Sequence, residues 1–348
     1  MRALRKMKRG HGNFAVCDVP KPKIASPEDV LIKVLAAGIC GTDVHIYEDK
    51  FQSYPPVTLG HEFVGLVEEI GNEAVNFKPG DRVVGEPHTL FCGKCEMCRL
   101  GNIQLCADKR SPGWGIDGAF ADYLIVPELF LHHVPPNVPD SVAALAEPMA
   151  IVTHSVLERS GVEPQDVVAI VGMGPIGLLS AVAAKAGGAK SVILLGTALD
   201  EKIRASAARK MGFDKFINVE REDATERILK LTGGRGADLA VEACGAEAGI
   251  NTCINIVKKC GRICVIGLPG EDTSNLQWLK MVRKVLDVNF CLSSSVSSWE
   301  RGLSILSTTD CNLEPVISHQ MSIEDWEQAF KNIAGGNAIK ILFVPDSF

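Results

Sequence analysis

The chain has 348 residues, of which 46% are hydrophobic and 22% charged, and a net charge of −6. That composition suits folded domains with real cores, and the acidic balance with no long basic block argues against a nucleic-acid surface. No run of about 18 apolar residues is present, and the basic start, Met1 to Arg9, has no apolar stretch behind it, so neither a membrane helix nor a signal peptide is predicted.

The first half reads as short strands between turn breakers: Val30–Ala36, Phe63–Ile70, Asp81–Val84 and Phe120–Val126. Such strands, punctuated by Gly and Pro, suggest a compact barrel-like or irregular β domain. Between the third and fourth lie Cys92, Cys95, Cys98 and Cys106, spaced C-x2-C-x2-C-x7-C. Short spacers let one loop wrap an ion with four sulfurs, and a closed four-sulfur shell leaves no place for substrate, so a structural zinc is expected. Twelve cysteines in a chain this long fit cytoplasmic thiols, some on metal, better than a disulfide scaffold.

Two further segments carry metal-ligand chemistry. One is Cys40-Gly-Thr42-Asp43-Val-His45; the other is Gly60-His61-Glu62. Three protein ligands plus an open position define a catalytic zinc, and Glu147 adds a carboxylate near the apparent domain boundary. Taken alone, His61-Glu62 is an ordinary polar pair beside a turn.

After Pro148 the pattern changes. Apolar strand runs at 167–171, 191–195, 216–219, 238–242, 262–266 and 287–291 alternate with helical stretches, among them 177–186 and 200–211. Such alternation predicts a parallel sheet covered on both faces. A helix near 323–334 and a strand over 338–343 close the chain. Gly172-Met-Gly174-Pro175-Ile176-Gly177 follows the first of these strands and opens a helix. In that setting the glycines make the turn, admit pyrophosphate to the backbone, and pack helix on strand. Cys244 and Ile266-Gly267-Leu268, at the ends of later strands, complete the candidate cofactor contacts.

The second parallel strand normally ends in an acid that holds the adenosine ribose. Here it ends Leu195-Gly196-Thr197, with Asp200, Glu201, Lys202 and Arg204 in the next stretch. Two readings stand. Without the acid, NADP is accepted, alone or beside NAD, with Lys202 or Arg204 near its phosphate; or Asp200 or Glu201 reaches back and NAD is preferred.

Together these segments, with Gly118 to Tyr123, Ala146-Glu147-Pro148-Met149-Ala150 and Gly335 to Lys340, resemble the zinc-containing medium-chain dehydrogenases over essentially the whole chain. The sorbitol (polyol) and threonine dehydrogenase branches are the most similar. The resemblance implies an α/β protein. A GroES-like β-rich catalytic domain, residues 1–149 and 293–348 with a zinc lobe at about 86–110, would join a Rossmann doubly wound domain over 150–292. It implies a catalytic zinc on Cys40, His61 and Glu62 with Glu147 on or beside the metal, and a second, structural zinc. It also implies Thr42 and His45 as a proton relay, NAD or NADP as cofactor, and a homodimer or homotetramer. Lys340 matches a position that touches cofactor pyrophosphate; a solvated C-terminal lysine is the plainer reading.

Two departures bear on substrate. Gly85-Glu86-Pro87-His88 resembles the threonine-branch segment whose histidine faces substrate, which makes His88 a contact candidate beside Thr42 and Glu147. Glu147-Pro148 follows the polyol branch instead. The arginine that branch often carries is missing from Cys291 to Trp299. The expected reaction is oxidation of a secondary alcohol in a polyol or polyol derivative, phosphorylated or not. A threonine-type amino alcohol is the alternative, and a non-catalytic nucleotide-binding protein of the same fold ranks below both. His154 reads as a packed interdomain histidine, and Cys17, Cys244, Cys253, Cys260, Cys264, Cys291 and Cys311 as small buried residues.

Overall fold

The computed structural model describes residues 1–345. The chain divides into two compact units, one of Met1–Glu147 with Ile317–Phe348 and one of Pro148–Val316. Of the predicted segment 293–348, Asp346, Ser347 and Phe348 lie outside the described residues. The second crossing falls at Val316/Ile317 rather than near 292. The helix Val296–Thr308 packs against the π-helical stretch Thr153–Arg159 of the second unit, with Trp299 only 1% exposed.

The first unit is organised by the ten-residue strand Asp29–Gly38. Its near-continuous apolar run, Val30 to Ala37, reflects burial on both faces. It pairs antiparallel with Glu62–Ile70, with Tyr123–Pro127 and, at its last two residues, with Lys340–Phe343. That last strand runs parallel to Ile317–Met321. The C-terminal segment thus returns to the sheet built by the first 150 residues.

A separate three-stranded sheet joins Phe14–Asp18, Arg2–Lys6 and Val57–Thr58. The strand Arg2–Lys6 has no sequence signal because its charges mask it. Lys6 is fully buried, and its ammonium donates to the carbonyls of Gly10, Gly12 and Ile46 at 2.5, 2.7 and 3.0 Å. Three carbonyl acceptors saturate the three donors of a lysine, which is how the interior tolerates it.

In the second unit six parallel strands lie in the order Phe216–Asn218, Ser191–Gly196, Val167–Val171, Ala237–Glu242, Val257–Val265, Asp287–Phe290. Numbered along the chain this is 3-2-1-4-5-6, the doubly wound dinucleotide order, whose switch point lies at the carboxyl end of Val167–Val171. The helix predicted over 200–211 begins at Arg204, because Ala198–Asp200 forms a separate tight turn after Thr197.

Candidate active site

Cys40, His61 and Glu62 meet because two strands end side by side. Gly38 pairs with Glu62, and the chain continues through Ile39 into Cys40, which opens the helix Gly41–Tyr47. A Cβ on Gly38 would lie 2.3 Å from Glu62 Oε2, so only glycine leaves room for the glutamate to cross. One donor atom from each of the three residues lies within 4.8 Å of the others. His61 and Glu62 are buried and Cys40 is half-buried. His61 Nδ1 has no hydrogen-bond partner, and a buried ring nitrogen in that state needs a ligand to account for it. Sulfur, imidazole and carboxylate around one point suit zinc.

The third strand at this junction brings a cation. Lys340 is 3% exposed, and its ammonium donates to Glu62 Oε2 at 2.6 Å, Glu62 Oε1 at 2.8 Å and the Ile39 carbonyl at 2.9 Å. The expectation of a solvated lysine is therefore overturned. All three of its N–H donors are engaged, which leaves none for cofactor pyrophosphate.

Charge around the cluster is tightly coupled. Burial disfavours a His61 cation, yet the Cys40 sulfur and the Asp43 and Glu147 carboxyls outweigh it and push the imidazole up to about 10. Asp43, fully buried, accepts from the Cys40 amide at 2.9 Å, and burial raises its pKa. Glu147 is not among the gathered donor atoms but lies in their field: burial, with Glu62 adding, raises it to about 7 against the pull of His61, Lys340 and Lys109. Thr42 and His45 stand three residues apart on the helix Gly41–Tyr47, hence on one face, and the Thr42 hydroxyl lies 3.7 Å from Cys40 Sγ. His88 is 1% exposed and outside the gathered cluster, with Glu86 buried beside it in sequence and hydrogen-bonded to His132 at 2.9 Å.

The cysteine lobe is built locally. Cys95 caps the short helix Glu96–Arg99 and accepts from the Cys98 amide, while Cys92 and Cys106 accept from the amides of Cys95 and Cys92. Cys98 Sγ lies 3.4 Å from Cys95 Sγ and 3.9 Å from Cys92 Sγ. Four sulfurs about 2.3 Å from a tetrahedral zinc stand roughly 3.8 Å apart, so the spacing fits. The amides of Lys94 and Cys95 bring Cys92 down to about 6, while burial and neighbouring sulfurs push Cys98 up to about 12.

In the second unit, the strand Val167–Val171 leads through Gly172 into the helix Pro175–Ala186. A Cβ on Gly177 would lie 1.9 Å from the Gly172 carbonyl, whereas one on Gly174 would meet nothing within 4 Å. The first glycine allows the helix to pack, and the second faces open space where a phosphate can approach. No side chain caps this helix, so its first amides remain for an anion. A cavity of about 420 Å³ borders this loop and is lined by Gly172, Gly174, Gly196, Thr197, Asp200 and Arg204 among others. An adjacent one of about 370 Å³ is lined by Glu242, Gly267, Leu268, Phe290 and Leu292 among others.

Several expected contacts separate here. Cys244 borders the first cavity and is exposed, its thiol donating to Glu242 at 2.9 Å, so it is not a buried filler; Cys260 is exposed too. Cys253, Cys264, Cys291 and Cys311 are buried, and Cys17 is half-buried. Lys202 is exposed and Ile266 lines neither cavity, whereas Arg204 lines the first. His154 pairs with Glu158 at 2.8 Å within the second unit.

Residues 26–136 match the alcohol dehydrogenase GroES-like domain, and residues 175–308 match the zinc-binding dehydrogenase family. The chain is 36% identical over 345 residues to a sorbitol dehydrogenase of Halalkalibacterium halodurans, covering 99% of each. It is 35% identical over 346 residues to an L-threonine 3-dehydrogenase of Escherichia fergusonii, covering 98% of this chain and 99% of that one. Among solved structures, galactitol-1-phosphate dehydrogenase from Escherichia coli superposes with a TM-score of 0.88 at 28% identity, over 99% of this chain and 100% of that one.

Proposed function

The chain belongs to the zinc-containing medium-chain dehydrogenases, and from that premise we propose that it oxidises a secondary alcohol of a polyol or polyol derivative to the ketone, using NAD or NADP. The observation that carries this reading is the convergence of Cys40, His61 and Glu62 beside a relay-spaced Thr42 and His45.

In this reading Cys40 and His61 hold zinc, joined by Glu62 or Glu147, and the four lobe cysteines hold a second ion. Zinc bound at the first site supplies Lewis acidity that lowers the pKa of a coordinated alcohol. The nicotinamide, bound through the Gly172–Gly177 loop, supplies the hydride acceptor. The chain's own task is then the proton. The Thr42 hydroxyl receives it from the alcohol and hands it to His45, whose half-buried imidazole on the same helix face passes it on to water. Lys340 keeps Glu62 fixed at both oxygens, and burial raises Glu147, so that without a metal its carboxyl holds a proton more readily than a free one.

We also place the protein in the cytoplasm, as a homodimer or homotetramer. No helix among the described residues is long and apolar enough to cross a membrane. The strand Asp287–Phe290 ends the six-stranded sheet, and Trp278, Leu279, Val282, Phe290 and Leu292 around it are exposed, an apolar edge that suits a second copy. Light scattering of the purified protein checks that mass.

The activity is tested by following nicotinamide reduction with polyols, polyol phosphates and L-threonine, each with NAD and NADP. Turnover of a polyol or its phosphate supports the reading. Turnover of L-threonine alone moves the chain to the amino-alcohol branch, and no turnover of any secondary alcohol overturns the reading.

A further inference from the structure

The end of the second parallel strand carries no acid, yet a carboxylate stands there. Asp200 lies four residues beyond Gly196 and is 4% exposed. Its Oδ2 accepts from the Thr197 amide at 2.7 Å and the Thr197 hydroxyl at 3.2 Å. Its Oδ1 accepts from an Arg204 guanidinium nitrogen at 2.7 Å. These bonds fold Thr197–Asp200 back on itself, and Asp200 and Arg204 both line the cavity that opens onto the glycine loop. A Cβ placed on Gly196 would lie 2.6 Å from Asp200 Oδ2 and 2.9 Å from Met173 Sδ. The carboxylate therefore occupies the space a side chain at the strand end would fill.

We propose that Asp200, brought back by the turn after Gly196, is the residue that accepts a ribose hydroxyl of the dinucleotide and makes the protein prefer NAD to NADP, with Arg204 as its positioning residue. This rests on the reading of the second unit as the nucleotide-binding domain.

A carboxylate offers about four lone-pair directions. Three are taken by the Thr197 amide, the Thr197 hydroxyl and Arg204, which leaves one, on Oδ1, for a hydroxyl donor. A 2′-phosphate has no proton to give at neutral pH and would meet the same carboxylate as a like charge. A second acid strengthens that repulsion: Glu220, just past the third parallel strand, accepts from the Ala198 amide of the same turn at 2.9 Å. Arg204 offsets part of it, so discrimination should be substantial but not absolute. Of the two readings open from the sequence, the geometry points to the one in which Asp200 reaches back. An aspartate substituted at Gly196 would collide with the carboxylate already present.

The experiment is titration of the purified, substrate-free protein with NADH and separately with NADPH, followed by nicotinamide fluorescence. The wild type should bind NADH at least about tenfold tighter. Asp200→Asn keeps the size but loses the charge, and should cut the ratio of NADPH to NADH dissociation constants by about tenfold or more, mainly by weakening NADH. Arg204→Gln should weaken NADH less and leave NADPH disfavoured. A wild type that binds NADPH as well as NADH, which needs no variant, overturns the inference. So does a ratio unchanged in folded Asp200→Asn. If neither nucleotide binds, the inference fails together with the dinucleotide reading beneath it. Because no alcohol is present, a wrong substrate class cannot produce any of these results.

Discussion

The cysteine lobe and the Cys40–His61–Glu62 cluster are two candidate ligand sets within one unit, built in opposite ways. The lobe draws four like donors from fifteen consecutive residues and arranges them with its own backbone amides. The cluster draws three unlike donors from two strand ends and adds a buried cation from a third strand. A closed, uniform shell held by local amides can do little except hold shape. A mixed shell set in competing charges can exchange a ligand, hold a proton and accept a substrate oxygen. The difference between structural and chemical metal sites thus lies in who the neighbours are as much as in the ligands.

The sharpest break of this comparison is mutational. Cys40→Ser or His61→Ala should lower kcat by about 10³-fold or more, since several kcal/mol of Lewis-acid stabilisation is lost, while NADH binding to the other unit persists. Cys95→Ser should instead remove one zinc per chain and open residues 92–106 to protease, with turnover reduced far less. Metal analysis, limited proteolysis and steady-state rates on the three variants decide it. A folded Cys95→Ser protein as inactive as Cys40→Ser would erase the distinction.

Next in size is the buried ion pair. Lys340→Met strands the Glu62 carboxylate, 1% exposed, without its cation and should cost about 3–5 kcal/mol in urea unfolding of the metal-free protein. The double variant with Glu62→Gln should recover much of that, because no charge is then left behind. Equal losses in the single and double variants would mean the lysine acts by packing alone.

A slightly smaller effect follows from Glu147. Its folded pKa, about 7, lies above the unfolded carboxyl value, so the native state holds the extra proton between the two. Stability from this group is present at low pH and is lost as pH rises from about 4.5 to 7, by roughly 3 kcal/mol in metal-free protein. Glu147→Gln should flatten that slope. A wild-type stability that rises across the same window, with the variant parallel to it, would contradict the assignment.

The finest distinction is protonic. In metal-free protein the His61 imidazole holds its proton up to about pH 10, and a ligand must lose that proton to bind metal. Zinc affinity at the cluster should therefore rise at least about tenfold per pH unit from 6 to 9. Competition titrations against a chelator, performed on Cys95→Ser protein to silence the lobe, measure that slope directly. A pH-independent affinity would place the proton elsewhere.

The sequence was most legible where spacing alone carries the chemistry. Four cysteines in a row of short spacers and a glycine loop after an apolar strand are local patterns, and strand–helix alternation predicts a parallel sheet though not its strand order; Cys40 and His61-Glu62 stand out as a set only through the family resemblance. What stayed hidden depended on distant partners or on turn chemistry. Lys340 looks solvated from its neighbours because its acceptor, Glu62, is 278 residues away. The strand Arg2–Lys6 hides behind charges whose burial becomes tolerable only once three carbonyls surround Lys6. The sequence pattern places Asp200 inside a helix over 200–211. The Thr197 turn that delays the helix to Arg204 is fixed by side-chain bonds that no hydrophobic period reveals.

The return of the C-terminal segment to the first sheet has a consequence for how the protein is made. A ribosome emits Glu62 first and Lys340 last, with the whole second unit between them. At about 5–20 residues per second, the 278 residues separating them take roughly 14–56 s to synthesise. For that interval the nascent chain carries Cys40, His61 and Glu62 without the ammonium that will neutralise the glutamate, and without the strand that closes the sheet beside it. The second unit, contiguous from Pro148 to Val316, can fold meanwhile on its own contacts. The candidate cluster thus gains its buried lysine only after the whole second unit has been synthesised.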